Sequence, residues 1–368
     1  MADAEMSKTA TCKFLKQQYG IKPMQTWGSL RDLDLRAFWD KNNCNARVAD
    51  PVINNAHTQV PTHLYWGNWN TPPYGIVADF LKQASAVLIN AFWDISANCQ
   101  IIGRQHDQEL ALHGACAVLA GVGGWGSTTK FSMLFKDGTS RQRVIQALGA
   151  AVVDAKWQGI AIDWEYPSTD QDWMNLCLFL EEYRRVYPLQ TLAVAVPADD
   201  ASIPARNVSR LSAAVDFLHV MTYDFTGEWS ATAQHNSSLT QGTDSLKAWE
   251  KAGALRSKLM LGSAWYGRRC MAKTIGATAS GPWKEDTYAD IQQLRTASPQ
   301  NGWAMFRASD ETPWMQNLRT GELLSFEDMQ LVSAKVKWVA DNAFGGVFCW
   351  ELGQDSSDND LLKALLQI

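Results

Sequence analysis

No apolar run of about twenty residues occurs in the 368-residue chain, which excludes a membrane-spanning helix. A basic block is missing too. Lysine and arginine number 33 against 38 aspartate and glutamate, for a formal net charge of −5. That balance argues against nucleic acid or an anionic membrane as partner. The six histidines are scattered and no zinc-ligand spacing occurs, so neither a metal nor another cofactor is expected. The opening Met-Ala-Asp-Ala-Glu-Met-Ser-Lys has no apolar stretch of the secretory type. Seven cysteines is an odd number. Cys116 and Cys349 fall on apolar strand segments and Cys177 on a helical one, where buried free thiols are expected. Cys12 and Cys44 bracket an N-terminal segment and could be bridged, a pairing the sequence leaves open.

What the chain does have is tryptophan, seventeen of them, within a composition that is 46% hydrophobic. Several stand at or near the ends of apolar runs, among them Trp66, Trp69, Trp93, Trp125, Trp164, Trp265 and Trp350. Most tryptophans fill cores. Some can line a cleft, where the apolar face of a sugar ring stacks on an indole. Residues 1–60 stand apart from the rest. Apolar residues at helical spacing over Thr9–Tyr19 stop at Gly20, and Ser29 opens a second helical stretch to Trp39. From residue 61, short apolar strands alternate with helical segments over 76–86, 141–156, 171–186, 244–252 and 329–342. Such alternation predicts a parallel sheet wrapped by helices.

The densest chemistry lies in Gly159–Pro167, Gly-Ile-Ala-Ile-Asp-Trp-Glu-Tyr-Pro. Read as a strand, it puts Ile160 and Ile162 on one face and Asp163 and Glu165 on the other. Two acids at the end of an apolar strand are costly to bury, and perturbed carboxylates cluster at functional sites. A structural ion pair is the plainer alternative.

This run resembles the catalytic strand of glycoside hydrolase family 18, whose motif is Asp-x-x-Asp-x-Asp-x-Glu. Asp163 and Glu165 match its last two acids, while Gln158 and Ala161 stand where the first two would be. Other segments resemble the family's strands in order. They are His63–Trp69, Val87–Phe92, Val118–Trp125 (with Gly121 in place of a serine), Leu192–Pro197, Val215–Gly227 with its Met-Thr-Tyr-Asp, Leu259–Arg268 with Trp-Tyr-Gly-Arg, and Gly345–Leu352. The resemblance implies a (β/α)8 TIM barrel over 61–368. It also implies a small α+β insertion after the seventh barrel strand, at about 270–324, and the short helical extension 1–60 lies outside it.

By the same resemblance, Glu165 protonates the leaving oxygen of a glycosidic bond, Asp163 holds the substrate's acetamido group, and Tyr223 hydrogen-bonds its carbonyl. Trp350, Met221, Asp224, Trp125, Tyr266, Arg268 and Trp66 are expected to line the substrate cleft. The substrate's own amide is the nucleophile, an exception to the two-carboxylate scheme. The implied substrate is chitin or chito-oligosaccharide, hydrolysed with retention by a secreted monomer and slowed by Ala161. The alternative is a weak or inactive oligosaccharide-binding lectin on the same barrel. His219, alone on the sixth strand, reads as a satisfied core residue.

Overall fold

The computed structural model describes residues 60–368, apart from 71–75, 85, 114–115 and 298–299. The extension over 1–60, with its two helical stretches and the Cys12–Cys44 pairing, lies almost wholly outside them.

Among the described residues fourteen strands form two sheets. In chain order the first eight are β1 (Thr62–Gly67), β2 (Val87–Ile95), β3 (Ile101–Ile102), β4 (Ala117–Trp125), β5 (Gly159–Glu165), β6 (Thr191–Pro197), β7 (Phe217–Met221) and β8 (Leu259–Ala264). Then come β9 (Tyr266–Met271), β10 (Ser280–Thr287), β11 (Trp303–Arg307), β12 (Pro313–Asn317), β13 (Glu322–Ser325) and β14 (Gly346–Trp350). The larger sheet has nine strands, and β3 is only a short antiparallel edge on β2. The other eight are parallel in the order β1-β14-β8-β7-β6-β5-β4-β2, and β2 pairs back onto β1. The sheet is therefore a closed barrel, the (β/α)8 architecture read from the sequence.

The strands are apolar on both faces because both faces are covered. All six residues of β1 and of β8 are buried. Inside the barrel pack Tyr65, Ile89, Leu119, Ala161, Met221, Met260 and Phe348. Outside it, Trp66, Leu88, Ile160, Ile162 and Trp164 pack in the layer shared with the helices. Several of those helices begin on side-chain caps. Asp137 accepts from Ser140 N ahead of Gly138–Ala155, and Thr169 accepts from Asp172 N ahead of Asp170–Val186. Cys177 and Cys349 are buried free thiols, and Cys116 is partly buried.

The second sheet is antiparallel in the order β10-β9-β13-β12-β11, and with the helix Tyr288–Thr296 it forms the insertion after the seventh barrel strand. It starts at Tyr266, earlier than the expected bound, because β9 follows β8 with only Trp265 between them. A buried ion pair braces this corner. Lys335 Nζ lies 2.8 Å from Glu327 Oε1 and also donates to Gly262 O and Ser237 Oγ, at 2.9 and 2.7 Å. Glu327 accepts from Ser263 Oγ and Ala264 N at 2.9 and 2.6 Å. Among the described residues no helix is long and apolar enough to cross a membrane. None of them form a group of three or more His, Cys, Asp or Glu able to hold a metal.

Candidate active site

Strand β5 sets the site. Side chains two apart share a face, so Ala161, Asp163 and Glu165 point into the barrel while Ile160, Ile162 and Trp164 point to the helices. The loop after β4 fixes the end of β5. Ser127 Oγ donates to Asp163 O at 3.3 Å and accepts from Glu165 N at 3.2 Å, and Thr128 Oγ1 donates to Glu165 O at 2.6 Å. Gly123 makes this approach possible. Its φ is +115°, and a Cβ there would stand 2.2 Å from Asp163 O.

The two acids share an environment that favours their protonated forms. Asp163 is buried, and burial together with the nearby charge of Glu165 raises its pKa well above the ordinary value. Glu165 is raised by burial, an effect opposed by a hydrogen bond from the Tyr166 hydroxyl and reinforced by the charge of Asp224. Tyr223 is held well above the ordinary phenol value, first by burial and then by Tyr266, Tyr65, Asp163 and Glu165. Its hydroxyl therefore keeps its proton at neutral pH and is available as a donor.

Aromatic rings form one side of this cluster. Trp350, the last residue of β14, stacks on Phe92 at 5.6 Å and lies 5.7 Å from Tyr65 and 6.3 Å from Trp69. The next residue, Glu351, is buried and accepts from Gly67 N and Gly353 N at 3.1 Å each, and from Asn70 Nδ2. That carboxylate ties the loop after β1 to the end of β14. On the insertion side, Arg268 Nη2 lies 2.6 Å from Asp224 Oδ1, and its Nη1 lies 3.1 Å from Glu285. The guanidinium stands over the rings of Tyr266 and Trp229 at 5.2 and 5.7 Å. Trp125, Trp229 and Trp69 are exposed by 85%, 62% and 61%. Exposed indoles around a buried acid pair suit a ligand that is apolar on its faces and polar at its edges.

The model of glycosyl hydrolases family 18 matches residues 62–355. The chain belongs to this family. Endochitinase 1 of Metarhizium robertsii is 25% identical over 268 residues, covering 66% of this chain and 62% of the relative. Chitinase 1 of Aphanocladium album is 26% identical over 273 residues, covering 67% and 63%. The chain thus spans somewhat over six-tenths of the length of these relatives. Among solved structures, a chitinase from Rhizomucor miehei superposes with a TM-score of 0.73 at 23% identity, over 83% of this chain and 99% of that one. The Group IV chitinase of Ostrinia furnacalis in complex with allosamidin gives 0.74 at 20% identity, over 84% and 97%. The solved structures share the fold with this chain.

Family 18 membership gives a frame for the motif residues. Asp163, Glu165, Tyr223, Asp224, Tyr266 and Arg268 form one connected electrostatic cluster. Met221 and Trp350 belong to the same interior packing, and Trp125 stands in register with Glu165. Trp66 does not join them. It is buried in the outer layer, edge-on to His106 at 5.7 Å, because its neighbour Tyr65 takes the inward position. Tyr65, Phe92, Tyr166 and Trp229 stand at the cluster without having been singled out from the sequence, whereas Trp69 was among the tryptophans noted at strand ends.

The two motif positions without acids have distinct surroundings. Gln158 Oε1 accepts from Val118 N at 2.6 Å, so a neutral amide ties the starts of β4 and β5. Ala161 is fully buried, paired in register with Gly121 on β4 and Ala193 on β6. Three adjacent strands thus present only small, non-polar residues in one layer below Asp163.

Proposed function

We propose that this chain is a retaining, substrate-assisted glycosidase that cleaves β-1,4-linked N-acetylglucosamine in chitin or chito-oligosaccharides. The observation that carries the reading is the buried Asp163–Glu165 pair beside Trp350 and Tyr223. Burial raises the Glu165 pKa, which favours the protonated form that a general acid needs. Glu165 donates that proton to the leaving oxygen. The acetamido carbonyl of the sugar on the other side of the break attacks its own anomeric carbon, and a cyclic oxazolinium forms. Water then opens the ring from the same face as the departed group, and Glu165 takes back a proton. Asp163 accepts from the acetamido N–H and stabilises the positive charge. The Tyr223 hydroxyl donates to the attacking carbonyl oxygen, and Trp350 supports the sugar ring. The names of the relatives, all chitinases or chitotriosidases among those compared, support chitin as the polymer.

The test is incubation with chitohexaose, with products followed by chromatography and their anomeric form by proton NMR. The reading expects β-anomeric product first and its loss in Glu165→Gln. Absence of turnover, or turnover untouched by that substitution, refutes it. A second reading, an oligosaccharide-binding lectin, draws on the non-polar Gly121–Ala161–Ala193 layer. Its mark is calorimetric binding of chitotetraose with no breakdown.

A further inference from the structure

At the end of β14 the aromatic wall rests on a buried acid that the proposed reaction does not use. Glu351 is 3% exposed, and among the described residues it has no ion-pair partner. Its polar neighbours are hydrogen-bond donors. Oε2 accepts from Gly67 N, Gly353 N and Asn70 Nδ2 at 3.1 Å each, and Oε1 accepts from Asn70 Nδ2 at 3.2 Å. A buried carboxylate is costly unless donors converge on it in this way. Gly353 lies in the acid's own turn, so capping that turn needs only the one bond. Gly67 and Asn70 are 284 and 281 residues away, in the loop after β1.

That loop carries Trp69 and is held from both sides. Asn68 is buried, and its Nδ2 donates to Phe92 O and Gly103 O at 3.1 and 2.9 Å, while Asn68 N donates to Ala91 O at 2.7 Å. Asn70 N closes a turn on Gly67 O at 2.9 Å, and its side chain reaches Glu351. Trp69 stands between the two clamps. Its indole lies directly on the Gly67 backbone, where a Cβ would stand 2.3 Å from ring carbon Cε2, and 6.3 Å from the Trp350 ring. The side chain is nevertheless 61% exposed. Exposed side chains ordinarily change rotamer freely, whereas this ring rests on a backbone fixed at both flanks.

We propose that Glu351 is a positioning residue that fixes the loop 67–70 and so presets the Trp69 indole beside Trp350, giving two neighbouring stacking faces for a sugar chain. Glu351 itself meets no sugar. The gain in binding rests on the reading of the cleft given above, but the hold on Trp69 does not. A ligand that reaches Trp69 finds the ring already placed. With the clamp removed, the ligand must order that side chain itself, a loss of about two- to tenfold in affinity.

Fluorine-19 NMR of protein labelled with 5-fluorotryptophan reads Trp69 without sugar, and Trp69→Phe assigns its signal. Glu351→Met keeps the length and removes the acceptors, so the Trp69 signal should narrow and move toward that of a free indole. Glu351→Gln keeps one oxygen for the two backbone N–H groups, with the Asn70 amide turned to accept from the new NH2, and should leave Trp69 near its parent position. A Trp69 signal unmoved in Glu351→Met overturns the proposal. Equal shifts in the two variants overturn the part given to hydrogen bonding. Calorimetry with chitohexaose, in a Glu165→Gln background that stops hydrolysis, reads the consequence. Glu351→Met should weaken binding about two- to tenfold, Trp69→Ala should weaken it more, and adding Glu351→Met to Trp69→Ala should change nothing further. An additional loss in that combination means the acid acts other than through Trp69 and also overturns the proposal. If Glu351→Met fails to fold, Asn70→Ala, on the other half of the same clamp, decides. A protein that binds no chitohexaose refutes the proposed function, and the fluorine signal still decides whether Glu351 holds Trp69.

Discussion

Asp163 should make the protein less stable at neutral pH while serving the proposed reaction. Its pKa in the folded chain lies well above 3.8, the ordinary value, because it is buried and faces Glu165. The folded state therefore holds its proton more tightly than the unfolded chain. Below pH 3.8 the group is protonated in both states and contributes no difference. As pH rises through the window between the two pKa values, stability falls by about 1.4 kcal/mol for each unit of separation, and the loss persists above the folded value. Asp163→Asn keeps the shape and removes the charge. The substitution should be neutral in stability at strongly acid pH, and its benefit should grow as pH rises and then level off. A benefit of about 1.4 kcal/mol for each unit corresponds to a melting-point rise of a few degrees in a domain this size. Over the same pH range the variant should lose about 10²–10³ in turnover, as expected when one preorganised electrostatic partner is removed. Thermal melts of both proteins at several pH values, with chitohexaose hydrolysis alongside, make the comparison. An Asp163→Asn protein that melts at or below the parent at pH 8 refutes the reasoning.

Two further outcomes follow from buried groups. Lys335→Met strands Glu327 as a lone buried anion and should cost about 3–5 kcal/mol by urea denaturation, whereas Lys335→Met with Glu327→Gln should recover most of it. A double variant as unstable as the single one contradicts this. Ala161→Asp places an acid directly below Asp163 and should raise turnover, by up to about 10²-fold if a missing electrostatic partner is what slows the reaction. No gain in the kcat of that variant removes Ala161 as a cause of slowness.

The barrel was legible because its strands are apolar runs separated by helical periods, and Gly159–Glu165 was legible because two acids interrupt such a run. The inward face of β1 was not. All six of its residues are buried, so no polar alternation marks which face is which, and Trp66 was assigned to the cleft that Tyr65 occupies. His219 reads from sequence as a satisfied core residue, and it is one. Its partners His63 and Tyr65 lie 156 and 154 residues away, a separation no local pattern carries. The Arg268–Asp224 contact escaped notice as a pair for the same reason, although each residue stood out alone. The start of the insertion was placed late because β9 continues β8 almost without a break, leaving no turn signal to read.

That continuity affects how a ligand would meet the protein. Trp265, the one residue between β8 and β9, donates its N–H to Trp350 O at 2.8 Å, and its carbonyl accepts from Tyr288 N at 2.9 Å. A swinging lid needs a few residues of slack backbone at its pivot, and this joint has both of its backbone groups tied. The insertion wall carrying Tyr266 and Arg268 is therefore a stiff outgrowth of the barrel staves at this joint. The cost of ordering that wall falls once, on folding, and not on every encounter with a ligand.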